Sequence, residues 1–153
     1  MQKITPYLWF NGNAEEAVTY YTSIFKDSNI TNIGRFGEGG PFPKGSVMSV
    51  SFQLNGQNFM AVNGGPQYTF TPAVSFFISV ESQQELDELW NKLTSGGKEE
   101  PCGWLIDKYG LSWQVVPSVL GKLFGDKDPA KANRVMQALF KMKKIDIRTL
   151  QNA

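Results

Sequence analysis

A chain of 153 residues, 41% hydrophobic and 19% charged, with 15 Lys+Arg against 14 Asp+Glu, is one domain's worth of polypeptide, biased neither toward disorder nor toward a basic, nucleic-acid-binding surface. It contains no histidine, which removes the commonest neutral-pH base, the commonest metal ligand and the centre of every Ser-His or Cys-His pair. Its single cysteine, Cys102, rules out an intrachain disulfide, a CxxC pair and a cysteine zinc cage, and suits a reducing compartment.

The opening MQKITPYLWFNG has no basic region leading into an apolar run, and nowhere do about 18 apolar residues follow one another. A soluble, cytoplasmic protein with no membrane partner is expected. Ile4, Pro6, Leu8 and Phe10 alternate with Thr5, Tyr7 and Trp9, a strand with two different faces. A helix should follow, capped by Asn13, with Glu15 and Glu16 at its positive end and Val18, Tyr21 and Phe25 on one stripe. Ser28 to Phe36 reads as a second strand, and 37–45 as a Gly/Pro-rich loop. Val50, Phe52 and Leu54 then run through the hairpin signal Asn55-Gly56 to Phe59 and Ala61.

The pattern recurs. Val74, Phe76, Ile78 and Val80 alternate with Ser75, Phe77 and Ser79, and Ser82 begins a second helix bearing Leu86, Leu89, Trp90 and Leu93. An offset of 68 places Phe76 on Leu8, Ile78 on Phe10 and Leu86 on Val18, while an offset of 54 places Trp104 on Val50, Ile106 on Phe52, Trp113 on Phe59 and Val115 on Ala61. The expected architecture is one α+β domain over 1–153, made of paired βαβββ modules at 4–66 and 73–117 that form a curved mixed sheet, followed by a helical tail over 118–153. Asp128 and Pro129 start a terminal helix with an apolar stripe of Val135, Met136, Leu139, Phe140 and Met142. Residues 121–153 hold eight Lys/Arg against three acids, but no aromatic-basic interleaving accompanies them, so no nucleic-acid partner is expected.

If the apolar set of each strand packs under the helices, alternation turns the other set to the opposite face. That set is Thr5, Tyr7, Trp9, Ser49, Ser51, Gln53, Met60, Val62, Ser75, Phe77, Ser79, Ser112, Gln114 and Val116, without one formal charge. Aromatic rings mixed with hydroxyls and amides suit a small-molecule cavity; a face covered by a partner subunit or by the terminal helix needs the same neutrality. The candidate ligand-binding residues are Tyr7, Trp9, Ser75, Phe77 and Gln114 on the strands, with Arg35, Asn63 and Gln67 at strand ends. A neutral or weakly anionic planar molecule fits such a lining. Cys102 has no neighbouring base, and the acids Glu15, Glu16, Glu85, Asp87 and Glu88 sit in first helical turns where the dipole explains them.

The stretches ITPYLWFNGNAEEAVTYY, GSVMSVSFQLNGQNFMAVNGGP, CGWLIDKYGLSWQVVP and DPAKANRVMQALFKMKKIDI resemble the PhnB-like branch of the glyoxalase/bleomycin resistance/dioxygenase (vicinal oxygen chelate) superfamily, often labelled 3-demethylubiquinone-9 3-methyltransferase. The resemblance implies paired βαβββ modules, a homodimer and, in the superfamily's enzymes, a divalent metal held by His, Glu or Gln on the first and last strands of each module. The matching positions are Tyr7, Met60, Ser75 and Gln114, which offer neither carboxylate nor imidazole. No metal and no other cofactor is therefore expected. A metal-dependent glyoxalase or dioxygenase-type enzyme and an S-adenosylmethionine-dependent methyltransferase stand as alternatives to a small-molecule-binding protein. For the last of these, Gly37-Glu38-Gly39-Gly40 leads toward a strand and not into the helix that a nucleotide-binding turn requires.

Overall fold

Leu8 and Phe10 are buried while Tyr7 is exposed and Trp9 half-buried, so the alternation at the N-terminus produces a two-faced strand. This is β1 (Tyr7–Phe10) of a computed structural model that describes residues 2–153. The chain divides into two units, one ending at Thr69 and the other starting at Phe70.

The first unit continues with α1 (Ala14–Ile24), β2 (Asn29–Arg35), β3 (Val47–Leu54) and β4 (Gln57–Asn63). Its sheet runs β1-β4-β3-β2, with β1 parallel to β4 and the other pairs antiparallel. The Asn55-Gly56 hairpin forms with both residues at positive φ, 48° and 78°, the conformation a two-residue turn needs to match strand twist. Helix α1 buries Ala14, Ala17, Val18 and Tyr21 against the face that carries Val50, Phe52 and Ala61. Asn13 precedes the helix as expected but its side chain makes no cap bond. The free amide at the helix start is that of Ala14, and it donates instead to Asn63 Oδ1 at 2.9 Å.

The second unit repeats the topology with β5 (Ser75–Val80), α2 (Gln83–Thr94), β6 (Lys98–Glu99), β7 (Trp104–Ile106) and β8 (Ser112–Pro117), in the order β5-β8-β7-β6. Paired βαβββ modules, each a four-stranded open mixed sheet with one helix on one face, are thus the fold of this chain. Ser82 caps α2 by accepting from Glu85 N.

The internal match differs in phase from the sequence offsets. Phe10 O accepts from Gly64 N, and Val80 O accepts from Ser118 N, so Val80 is the counterpart of Phe10, two residues later than expected. The buried helical sets Ala14/Ala17/Val18/Tyr21 and Leu86/Leu89/Trp90/Leu93 share one spacing, which makes Leu86 the counterpart of Ala14, one turn away from the expected Val18. The third correction changes a face. Leu105, not Trp104 or Ile106, is the fully buried residue of β7 and pairs with Trp113, as Phe52 pairs with Phe59. The turn between β7 and β8 is one residue longer than its counterpart, and that residue reverses the parity of β7. Asp107 organises this turn: Oδ1 accepts from Tyr109 N and Leu111 N, and Oδ2 accepts from Trp113 Nε1 at 2.8 Å.

Beyond β8 the single expected helix is three, α3 (Val119–Phe124), α4 (Pro129–Phe140) and α5 (Ile147–Gln151). Asp128 does cap α4, accepting from Ala130 N. Only Val135 and Leu139 of the α4 stripe are buried, whereas Met136 and Phe140 stay exposed. The tail fastens to its own unit by backbone bonds from Cys102 N to Met142 O and from Gly103 N to Lys143 O. Gln83 adds a side-chain clamp, donating to Ile145 O and accepting from Ile147 N. Hydrogen bonds from Gln83 and then Lys144 hold the Asp87 carboxyl below its usual range. Among the described residues no helix is long and apolar enough to cross a membrane.

Candidate functional site

In each unit the sheet face opposite the helix carries the candidate side chains. In the first unit, Tyr7 lies beside Met60, which lies beside Ser51; one step along, Trp9, Val62 and Ser49 form the next row. Tyr7 is 57% exposed. Trp9 is held in place, its Nε1 donating to Gly65 O at 2.9 Å and its ring meeting Tyr68 edge-on at 5.0 Å. Gly64 is needed beside it, since any side chain there would run into the Trp9 ring.

In the second unit the rows are Ser75, Ser112 and Ile106, then Phe77, Gln114 and Trp104. Phe77 is 62% exposed. Gln114 Nε2 donates to Ser75 Oγ at 3.0 Å, a bond that fixes the half-buried amide on this face. Through β1, β3, β4, β5, β7 and β8 this face contains no formal charge. Charge enters at the edge strands: at β6, where Lys98 Nζ pairs with Glu100 Oε1 at 3.1 Å, and at β2, where Arg35 stands opposite Val47.

The strand-end candidates behave differently. Asn63 is buried and its amide is used at both ends, accepting from Ala14 N and donating to Val47 O, so it ties β4 to α1 and to β3. Arg35 is exposed and its Nη1 donates to Gly45 O, bracing the long β2–β3 loop. Gln67 lies exposed beyond β4. The loop itself turns toward the start of α1, where Phe42 and Pro43 join Gly12, Glu15 and Phe36 around a hollow of about 230 Å³. Of the predicted residues, the structure therefore sets Tyr7 and Trp9 on one open face and Ser75, Phe77 and Gln114 on the other, and it assigns Asn63 and Arg35 to bracing contacts.

Trp104 and Ile106 were not among the expected face residues. Trp104-Leu105-Ile106 is apolar throughout, so alternation within it carries no parity; only the length of the turn after it could have located the inward residue. Among the described residues no group of three His, Cys, Asp or Glu side chains is placed to hold a metal ion.

A family model described as 3-demethylubiquinone-9 3-methyltransferase matches residues 2–116. The chain belongs to that family. Within it the PhnB-like branch is indicated by a solved structure from Bacillus cereus, described as a putative 3-demethylubiquinone-9 3-methyltransferase, PhnB protein, with 41% identity, a TM-score of 0.69, and coverage of 76% of this chain and 100% of that one. A protein of Pseudomonas aeruginosa is 26% identical over 76% of this chain and 98% of its own, with a TM-score of 0.63. The fold also matches the fosfomycin resistance protein FosX of Listeria monocytogenes, solved in complex with Mn(II) and sulfate, at 14% identity, a TM-score of 0.54, and coverage of 75% and 92%. No curated protein sequence matches the chain. The family match ends before the helical tail that follows β8.

Proposed function

We propose that this PhnB-like protein binds a small planar molecule, neutral or weakly anionic, on the open faces of its sheets, as a homodimer and without the divalent metal of the superfamily's enzymes. The observation that carries the reading is the absence of formal charge from this face through β1, β3, β4, β5, β7 and β8. Exposed rings at Tyr7 and Phe77 provide contact area, and the Ser75–Gln114 pair presents a hydrogen-bonding group with a fixed direction.

FosX is described in complex with Mn(II), but the donors on these faces differ from those a divalent metal selects. The first unit supplies a phenol and a thioether at Tyr7 and Met60; the second supplies a hydroxyl at Ser75 and an amide at Gln114, with Phe77 the residue directly beside Gln114. Hard divalent cations select carboxylates, imidazoles and several oxygens, and neither pair provides them. These residues do not fit the metal. The family description names a methyltransferase, but Gly37 to Gly40 lie in the loop between antiparallel strands β2 and β3, not at the strand-to-helix turn that cradles a nucleotide.

The testing experiment is a thermal-shift panel of S-adenosylmethionine, glutathione adducts, quinones and aromatic antibiotics, run with and without Zn, Ni, Mn and Fe(II). A quinone or aromatic compound should stabilise the protein with no metal requirement. Stabilisation only by a metal, with stoichiometric calorimetric binding lost on changing Gln114, would overturn the proposal.

A further inference from the structure

The sequence contains three Asn-Gly steps, Asn11-Gly12, Asn55-Gly56 and Asn63-Gly64. Such a step can close on itself by attack of the glycine nitrogen on the asparagine Cγ. The reaction needs a free N–H, a free side-chain amide and room for a succinimide ring, and glycine favours it because no Cβ shields the nitrogen. The fold treats the three steps differently. Asn63 is 8% exposed, its amide is bonded to both Ala14 N and Val47 O, and Gly64 N donates to Phe10 O at 3.0 Å. At the hairpin Asn55 is exposed, but Gly56 N donates to Asp27 O at 3.0 Å and Asn55 N donates to Ser28 Oγ at 3.0 Å. In the connection from β1 to α1, Asn11 and Gly12 are both exposed, and neither the Asn11 side chain nor Gly12 N has a hydrogen-bond partner among the described residues. Gly12 has a φ of +85°, and apart from its chain neighbours no atom lies within 4 Å of where a Cβ would stand, so the ring has room to form.

We infer that Asn11 is a site of spontaneous covalent modification, which the fold leaves open to conversion into aspartate and isoaspartate while it protects Asn55 and Asn63. Gly12 N bonds to Asn11 Cγ and the Cγ–Nδ2 bond breaks; the Gly12 amide proton leaves with Nδ2 as ammonia, and a succinimide remains. Water, the one co-reactant, then opens the ring at either of two C–N bonds. Cleavage at Cγ gives aspartate with the original backbone. Cleavage at the Asn11 carbonyl carbon gives isoaspartate, with the main chain rerouted through Cβ and Cγ. Asn11 and Glu15 line the same hollow beside Phe42 and Pro43, so the product sets a second carboxylate there, ahead of α1. None of this depends on what the open sheet faces bind.

The test is incubation of the full folded chain in mildly alkaline buffer, with the same incubation in urea alongside, followed by peptide mass spectrometry whose fragment ions separate aspartate from isoaspartate. In the folded protein the exchange of NH₂ for OH should accumulate at Asn11 roughly tenfold or more faster than at Asn55 or Asn63, because reaction at those steps first requires a backbone hydrogen bond to open. In urea the three steps should convert at similar rates. Conversion of Asn55 or Asn63 in the folded chain as fast as that of Asn11 would overturn the inference, and so would an Asn11 that stays intact when folded yet converts in urea. A lead of Asn11 that persists undiminished in urea would overturn it too, since the preference would then belong to the local sequence and not to the fold.

Discussion

Replacing Asp107 by alanine is expected to destabilise the second unit by about 3 kcal/mol, among the largest effects of any single substitution in this chain. The carboxylate is 3% exposed and accepts from two backbone amides and from the Trp113 indole. Its removal strands three donors at once, two of them buried, and a stranded buried donor costs its full desolvation penalty, where a bond exchanged with water costs only the net difference. Asp107→Asn should cost less, about 1 kcal/mol, since its carbonyl oxygen can still serve both amides while its NH₂ cannot accept from the indole. Urea denaturation followed by tryptophan fluorescence reads both. Equal effects of the two substitutions would mean that the bonds from Tyr109 N and Leu111 N, which asparagine can keep, contribute nothing and that the Trp113 indole bond carries the whole effect.

Ile145→Ala is the second large effect, expected at about 2–5 kcal/mol. Ile145 has no exposed surface although it lies in the tail, beyond the residues that the family model matches. It closes over Gly103, whose φ of +83° and nearness to the Ile145 side chain leave no room for a larger residue. Backbone bonds to Met142 and Lys143 and the Gln83 clamp hold the segment there. The tail is therefore built into the core of the second unit. A melting temperature for Ile145→Ala close to that of the unchanged chain would show the tail to be a loosely attached addition.

The fold was legible because its repeat is written twice in elements of known period. What the sequence could not supply was phase. Sliding a helix by one turn, or a strand by two residues, still lays apolar on apolar, and this is why Val18 matched Leu86 before the structure paired Leu86 with Ala14. The same ambiguity placed Ser75, in place of Phe77, as the counterpart of Tyr7; both lie on one face, so the face survived and the row did not. In β7, three consecutive apolar residues hid the parity altogether, and Trp104 was missed. Asn63 looked like a ligand-directing amide because its two partners, Ala14 N and Val47 O, are backbone atoms distant in sequence, which composition does not announce.

The central claim, that the open sheet faces bind a small molecule through neutral groups, is tested most directly by Gln114→Leu. Its amide bonds to Ser75 Oγ, and the loss of one such half-buried bond should lower the melting temperature by no more than about 4 °C. Affinity for whichever panel compound stabilises the unchanged protein most, measured by calorimetry, should fall about tenfold or more, since the directing group is gone. A larger drop in melting temperature with affinity unchanged would contradict the account and make Gln114 a structural residue of the sheet.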